Sequence, residues 1–181
     1  RFASSLDPHN ITYHLNAAYW LMSPDIGRPD EARKVLYEAR DRNPESYPVY
    51  LGLCQLATKT GDKSLAMRSC DAALALWPKG RLDDDTELQT KLNKRELLSK
   101  RSLLREMAND KAGAIADLKG VLEEFPDNGA NDVAAITNRL AGIESGLETP
   151  ATAEERWKVL TKEEYHHVCE EAAAEEGGTH L

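Results

Sequence analysis

Residues 44–78 read PESYPVYLGLCQLATKTGDKSLAMRSCDAALALWP. Ser46 can cap a helix that begins just after it. Tyr50, Leu53, Cys54 and Ala57 then recur at helical spacing and share one face. Gly61-Asp62 ends that helix, as glycine does at a helix C-terminus. Leu65, Ala66, Cys70, Ala73 and Leu74 give a second helix its own buried stripe. The small side chains of Ala66 and Ala73 let the two helices approach closely. Pro78 stops the pair, because proline cannot continue a helix interior. The stretch predicts one helix–turn–helix unit between two prolines, Pro44 and Pro78, spaced 34 residues apart.

The same order appears on both sides. Upstream, Pro8 is followed by His14-x2-Ala17-Ala18-x2-Leu21, then Gly27, then Ala32-x3-Leu36-x2-Ala39 and Pro44. Pro8 and Pro44 are 36 residues apart, and the surplus fits the turn chemistry of Ser23-Pro24-Asp25-Ile26. Pro29 suits the first turn of the second helix, where its missing N–H costs little. Downstream, Ala114-x3-Leu118 and Val121 precede Pro126, 48 residues after Pro78. Lys79-Gly80 reads as a turn, and Asp83-Asp84-Asp85-Thr86 places negative charge at a helix N-terminus. No breaker follows until about Ala108, so this unit opens with one long helix. Arg101, Ser102 and Arg105 fall where the other units have apolar or small residues.

The pattern resembles the tetratricopeptide repeat, whose period is 34 and whose signature is Trp-x2-Leu-Gly-x2-Tyr, then Ala-x3-Phe, then Pro. The match is closest over 44–78 and looser over 8–44 and 95–126. The resemblance implies an all-α, right-handed α-solenoid of antiparallel helix pairs with a C-terminal helical extension. The units are about 8–44, 45–78 and 79–126. Val133, Ile136 and Leu140 mark a capping helix over 129–146, ending near Gly146. Residues 147–181 form a linker at Glu148-Thr149-Pro150-Ala151 and one or two acidic helices, with Thr152-x-x-Glu155 and Thr161-x-x-Glu164 as capping boxes.

Composition agrees with such an array. Of 181 residues, 30% are charged and only 6% aromatic, few for one large core, but repeats bury their faces on each other. The net charge of −8 is uneven: residues 1–126 balance 19 cations with 19 anions, whereas 127–181 hold 4 against 12. A nucleic-acid partner is disfavoured, because phosphate binding needs clustered positive charge. No apolar run is long enough for a membrane span. The chain starts at Arg1 without a methionine, which reads as an excised or processed segment. Three cysteines, Cys54, Cys70 and Cys169, are not a disulfide framework. Cys54 and Cys70 occupy close-packed positions of one helix pair that an oxidising compartment could link, but they read as small buried apolar residues, which leans towards a reducing, cytoplasmic setting.

No Gly-rich phosphate loop, Gly-x-Ser-x-Gly or His-Glu-x-x-His is present, so the expectation is no enzyme and no cofactor. His166-His167-x-Cys169-Glu170 lacks a second ligand cluster to complete a zinc site, so no metal is expected. In the family that the pattern resembles, first helices line a concave groove. The residues offset from the packing stripe are Leu15, Asn16 and Tyr19 in the first unit and Leu51, Gln55 and Thr58 in the second. Ser99, Leu103 and Glu106 are their counterparts in the third. Such a groove fits an extended or helical segment of another protein. It lacks the Lys, Arg and Asn set with which some family members clamp chaperone carboxylate tails, so that partner is not expected. Lys94, Arg101 and Arg105 fall near one face of the long helix, as a second docking strip or an ordinary solvated face. The acidic tail over 154–176 is the internal candidate to cover it. The function that follows is a non-catalytic protein-binding scaffold. The alternatives are a self-associating homo-oligomer within a longer solenoid and a regulatory domain of a larger enzyme.

Overall fold

A computed structural model describes residues 10–77, 84–124 and 130–161. Among them every regular element is a helix: α1 (Ile11–Leu21), α2 (Pro29–Arg42), α3 (Tyr47–Lys59), α4 (Lys63–Ala75), α5 (Asp84–Met107), α6 (Lys111–Glu124), α7 (Ala130–Ser145) and α8 (150–161). Two compact units are present, one of Arg1–Ser69 with Lys158–Leu181, the other of Cys70–Trp157. Pro8, Lys79-Gly80, Pro126, Glu164, the His166–Glu170 cluster and the acidic tail beyond 161 lie outside the described residues.

In the first unit α1 packs on α2, α2 on α3, and α1 also on α3, the pattern of one hairpin stacking on the next helix. Ala18, Ala32, Leu36, Leu53 and Leu56 form its core, with Leu15 and Tyr50 against them. The helix ends follow local chemistry. Asn10 caps α1 through its side chain on the Thr12 N–H. Pro29 opens α2, with Asp30 and Glu31 in its first turn and Arg40 and Arg42 in its last. Those charges complement the helix dipole at both ends. His14, fully buried at the first signature position, ties α1 to α2. Arg42 can only donate, so His14 Nε2 accepts at 3.3 Å and Nδ1–H gives to the Asn10 carbonyl at 3.1 Å.

Two expected caps differ in detail. Ser46 does hold the N-cap position of α3, but its hydroxyl is buried and makes no bond there. Pro48 occupies the first turn and has no N–H to offer, while the Val49 N–H goes to the Ser46 carbonyl. At the other end of the chain the cap moves three residues upstream of the expected box. Thr149 and Thr152 exchange backbone N–H and hydroxyl bonds, so α8 starts at Pro150 and the supposed linker is its cap.

In the second unit α5 packs on α6, and α6 on α7. The long first helix runs unbroken for 24 residues. Ala114, Leu118, Leu140 and Ile143 form a core joined by Ile136, so α7 lays its apolar stripe on α6.

The turns before α4 and α6 share one geometry. Gly61, in the left-handed region at φ 71°, precedes Asp62, whose carboxylate accepts the Leu65 N–H at 2.9 Å. Asn109, at φ 60°, precedes Asp110, whose carboxylate accepts the Gly113 N–H at 2.9 Å. Asparagine is among the few residues with a side chain that enter this region readily. The N–H groups of Asp62 and Asp110 bond the carbonyls of Ala57 and Arg105, both at 2.8 Å. The two turns therefore superpose at a shift of 48 residues, which aligns Arg101, Ser102 and Arg105 with Leu53, Cys54 and Ala57.

Cys54 and Cys70 are fully buried and disulfide-bonded, the one pairing that three cysteines with these two engaged permit. This corrects the expectation of two free buried thiols.

Candidate functional site

The residues expected to face a groove separate into exposed and buried groups. Asn16 and Tyr19 stand exposed on α1, with Tyr19 61% accessible. Its ring meets the Trp20 indole edge-on, with centroids 5.8 Å apart. Leu15 is half-buried and leans on the core. Gln55 is half-buried and already engaged within the protein. Leu51 is buried, and Thr58 is closed off entirely, its hydroxyl donating to the Cys54 carbonyl at 2.8 Å. In the third repeat Leu103 and Glu106 are likewise buried, and Ser99 is half-buried. Of the expected groove residues, the exposed ones are thus carried by α1, where no charged residue occurs among the eleven.

The three cations of the supposed docking strip are engaged internally. Arg101 grips Asp117 with both arms of its guanidinium, at 2.9 and 2.6 Å, and reaches Asp71 at 3.1 Å. Arg105 approaches the same Asp117 at 3.1 Å and donates to the Gly113 carbonyl. Lys94 pairs with Glu124. Burial works against the charge of Arg101, yet the bonds to Asp117 and Asp71 hold its guanidinium protonated more firmly than usual. Asp117 is only 3% exposed, so this is a buried ionic knot across α4, α5 and α6 and not a row of free cations. Lys100 is also buried and bonded to Glu96 at 2.8 Å.

A second knot escaped the sequence reading. Glu106 on α5 pairs with Arg139 on α7, and Arg156 on α8 lies 4.0 Å from its other oxygen while gripping Glu148. Burial pushes the Glu106 carboxyl above the ordinary glutamate range, against the pull of Arg139 and Arg156. Hydrogen bonding to Arg156 holds Glu148 below it. One clue was present: Arg139 and Arg156 are two of only four cations among the twelve acidic residues of 127–181. Among the described residues, no group of three His, Cys, Asp or Glu side chains could hold a metal ion. Nor, among the described residues, is any helix long and apolar enough to cross a membrane.

Comparison with known proteins agrees with this architecture. Residues 27–82 match the family described as tetratricopeptide repeat, from the turn before α2 through the second repeat. No curated protein and no solved structure matches the chain. α1 and the helices α5 to α8, with the Glu106 knot and all of the Arg101 knot except Asp71, lie outside the matched span. The likeness to the tetratricopeptide repeat is thus carried by residues 27–82, about a third of the chain.

Proposed function

We propose that this protein is a non-catalytic scaffold that binds a segment of a partner polypeptide along the first helices, with Asn16 and Tyr19 as its principal contacts and Leu15 and Gln55 at the margin. The observation that carries this reading is the exposure of Tyr19 beside Asn16 on a helix without charge, with the ring braced by Trp20. A braced aromatic loses little freedom on binding, and an adjacent amide can read a partner's backbone. The partner is expected to present an apolar side chain flanked by backbone amides, in place of the carboxylate of a chaperone tail. Capture from a source lysate tests this, with the intact chain and a Tyr19→Ala, Gln55→Ala variant as baits. A protein retained at least tenfold better by the intact bait supports the groove. Equal recovery by both baits, at equal helicity, overturns it.

The disulfide supports an oxidising setting over the cytoplasmic one expected from cysteine count, since such bonds persist where thiols are not kept reduced. Mass spectrometry of natively purified, alkylated protein tests this: modified Cys54 and Cys70 in the native pool would oppose it.

A further inference from the structure

One face of a first helix is buried in the second repeat and open in the first. At a shift of 36 residues, Tyr13, Asn16 and Trp20 fall on Val49, Gly52 and Leu56. Val49 and Leu56 are fully buried, and Leu56 packs in one cluster with Ala32 and Leu36 of α2. A Cβ added to Gly52 would stand 3.1 Å from a Leu36 methyl and 3.2 Å from a Leu15 methyl. This fold therefore covers that face with another helix. On α1, Tyr13 is 43% exposed, Trp20 62%, and Asn16 between them is open.

We infer that the Tyr13–Asn16–Trp20 face of α1 is the interface through which two copies of this chain pair about a twofold axis. Three observations favour a second copy. An interface that meets itself brings each charge onto its own copy, and α1 contains no Asp, Glu, Lys or Arg although the chain carries −8. Tyr13 and Trp20 are two turns apart, about 10 Å along the axis, with Asn16 near the midpoint. Antiparallel crossing then sets Trp20 of one copy on Tyr13 of the other and each Asn16 amide against its twin. An amide both donates and accepts, so the pair satisfies itself. The exposed rings and their polar neighbours amount to roughly 500 Å² per copy. Two copies together reach on the order of 1,000 Å², the lower edge of specific interfaces, which sets the expected affinity in the micromolar range. The inference shares Asn16 with the groove reading and differs from it in the residues that test it, Tyr13 and Trp20 here and Tyr19 and Gln55 there.

Sedimentation equilibrium of the full chain, up to about 200 µM, tests the pairing. The intact protein and Gln55→Ala are expected to pass from monomer to dimer. Tyr13→Ala with Trp20→Ala is expected to remain monomeric at unchanged helicity and melting temperature. Asn16→Asp and Asn16→Lys should each weaken pairing at least tenfold, and their equimolar mixture should pair more tightly than either alone. That mixing result requires residue 16 to face its own copy. A monomer at every concentration overturns the inference, as does a dimer indifferent to Tyr13 and Trp20. A mixture no tighter than its components rules out the twofold and leaves α1 to a helix of a different protein.

Discussion

The helix pairs α3–α4 and α5–α6, the second and third of the repeats expected from the sequence, reach the same backbone turn by different chemistry. In the second, Leu53, Cys54 and Ala57 of α3 and Ala66, Cys70 and Ala73 of α4 are all buried and uncharged. In the third, the corresponding positions are Arg101, Ser102 and Arg105 facing Ala114, Leu118 and Val121, with Asp117 between the arginines. The second helix keeps its apolar stripe in both, whereas the first helix has exchanged hydrocarbon for guanidinium in the third. What the two share is the turn: a left-handed residue, then an aspartate capping the next helix. A repeat of this kind is defined by how its hairpin closes and by one small apolar stripe. The opposing stripe tolerates charge if every charge is matched.

The largest expected effect comes from unmatching it. Asp117→Ala leaves two arginines against a buried hole, and breaking a buried ionic group by one partner costs about 3–5 kcal/mol. Converting the knot to the second repeat's residues, with Arg101→Leu, Arg105→Ala and Asp117→Ser together, should instead be neutral or stabilising by about 1–4 kcal/mol. Urea unfolding of both variants checks this. A triple variant as damaged as Asp117→Ala would mean that the third repeat cannot be packed like the second.

Next comes the disulfide. The bond from Cys54 to Cys70 closes a loop of about 15 residues, for which chain entropy gives about 3 kcal/mol. The third repeat has Ser102 and Leu118 at those positions and no cysteine. Reductant should therefore lower the protection of α3 and α4 amides from hydrogen exchange and leave α5 and α6 unchanged. Equal loss in both repeats would show that they unfold as one unit, and no loss in either would remove the disulfide from the stability of the fold.

This contrast also explains what the sequence made legible. Periodicity, proline spacing and Gly61 located the second repeat, because each of its positions is filled by the residue type that its packing requires. The third repeat's long helix followed from the absence of breakers. Its charged stripe, however, looks in one dimension like a solvated face. Arg101 and Arg105 turn inward, half-buried, only through Asp117, sixteen positions away from Arg101. The same blindness affected the candidate groove. Thr58 and Glu106, equivalent at the 48-residue shift, are polar and offset from the stripe, yet both are buried. Their partners, the Cys54 carbonyl and Arg139, are respectively backbone and remote in sequence. The aromatic face of α1 was half visible: Tyr19 was singled out, but Tyr13 and Trp20 stand on the helix side that the second repeat covers.

Removing the shared feature tests whether the turns are equivalent in strength as well as geometry. Asp62→Ala and Asp110→Ala each delete a cap, worth about 1 kcal/mol. Asp62 should cost more, because it also takes Arg33 of α2 at 3.3 Å and so ties two hairpins. Thermal melts of the two variants compare them. Equal losses would reduce Arg33–Asp62 to an ordinary surface pair.

The smallest effect is one of sign, and it separates the two repeats by pH. Bonding to the Leu65 N–H, with help from Arg33, holds the Asp62 carboxyl below the usual aspartate range. Between its folded and ordinary values the unfolded chain binds more protons, so its contribution is present above the ordinary aspartate value and is lost as pH falls. Glu106 runs the other way. Its carboxyl is raised by burial, so the folded state binds more protons across the window above the ordinary glutamate value. That contribution is present in acid and is lost as pH rises. Glu106→Thr, which installs the second repeat's Thr58 at the equivalent position, should remove the unfavourable slope above the ordinary glutamate value. Asp62→Asn should flatten the favourable slope on the acid side. Stability measured by urea between about pH 3 and 7 resolves both. If Glu106→Thr left the slope unchanged, the α5–α7 pair with Arg139 would be holding Glu106 charged despite its burial, and the ionic repeat would be as insensitive to pH as the apolar one.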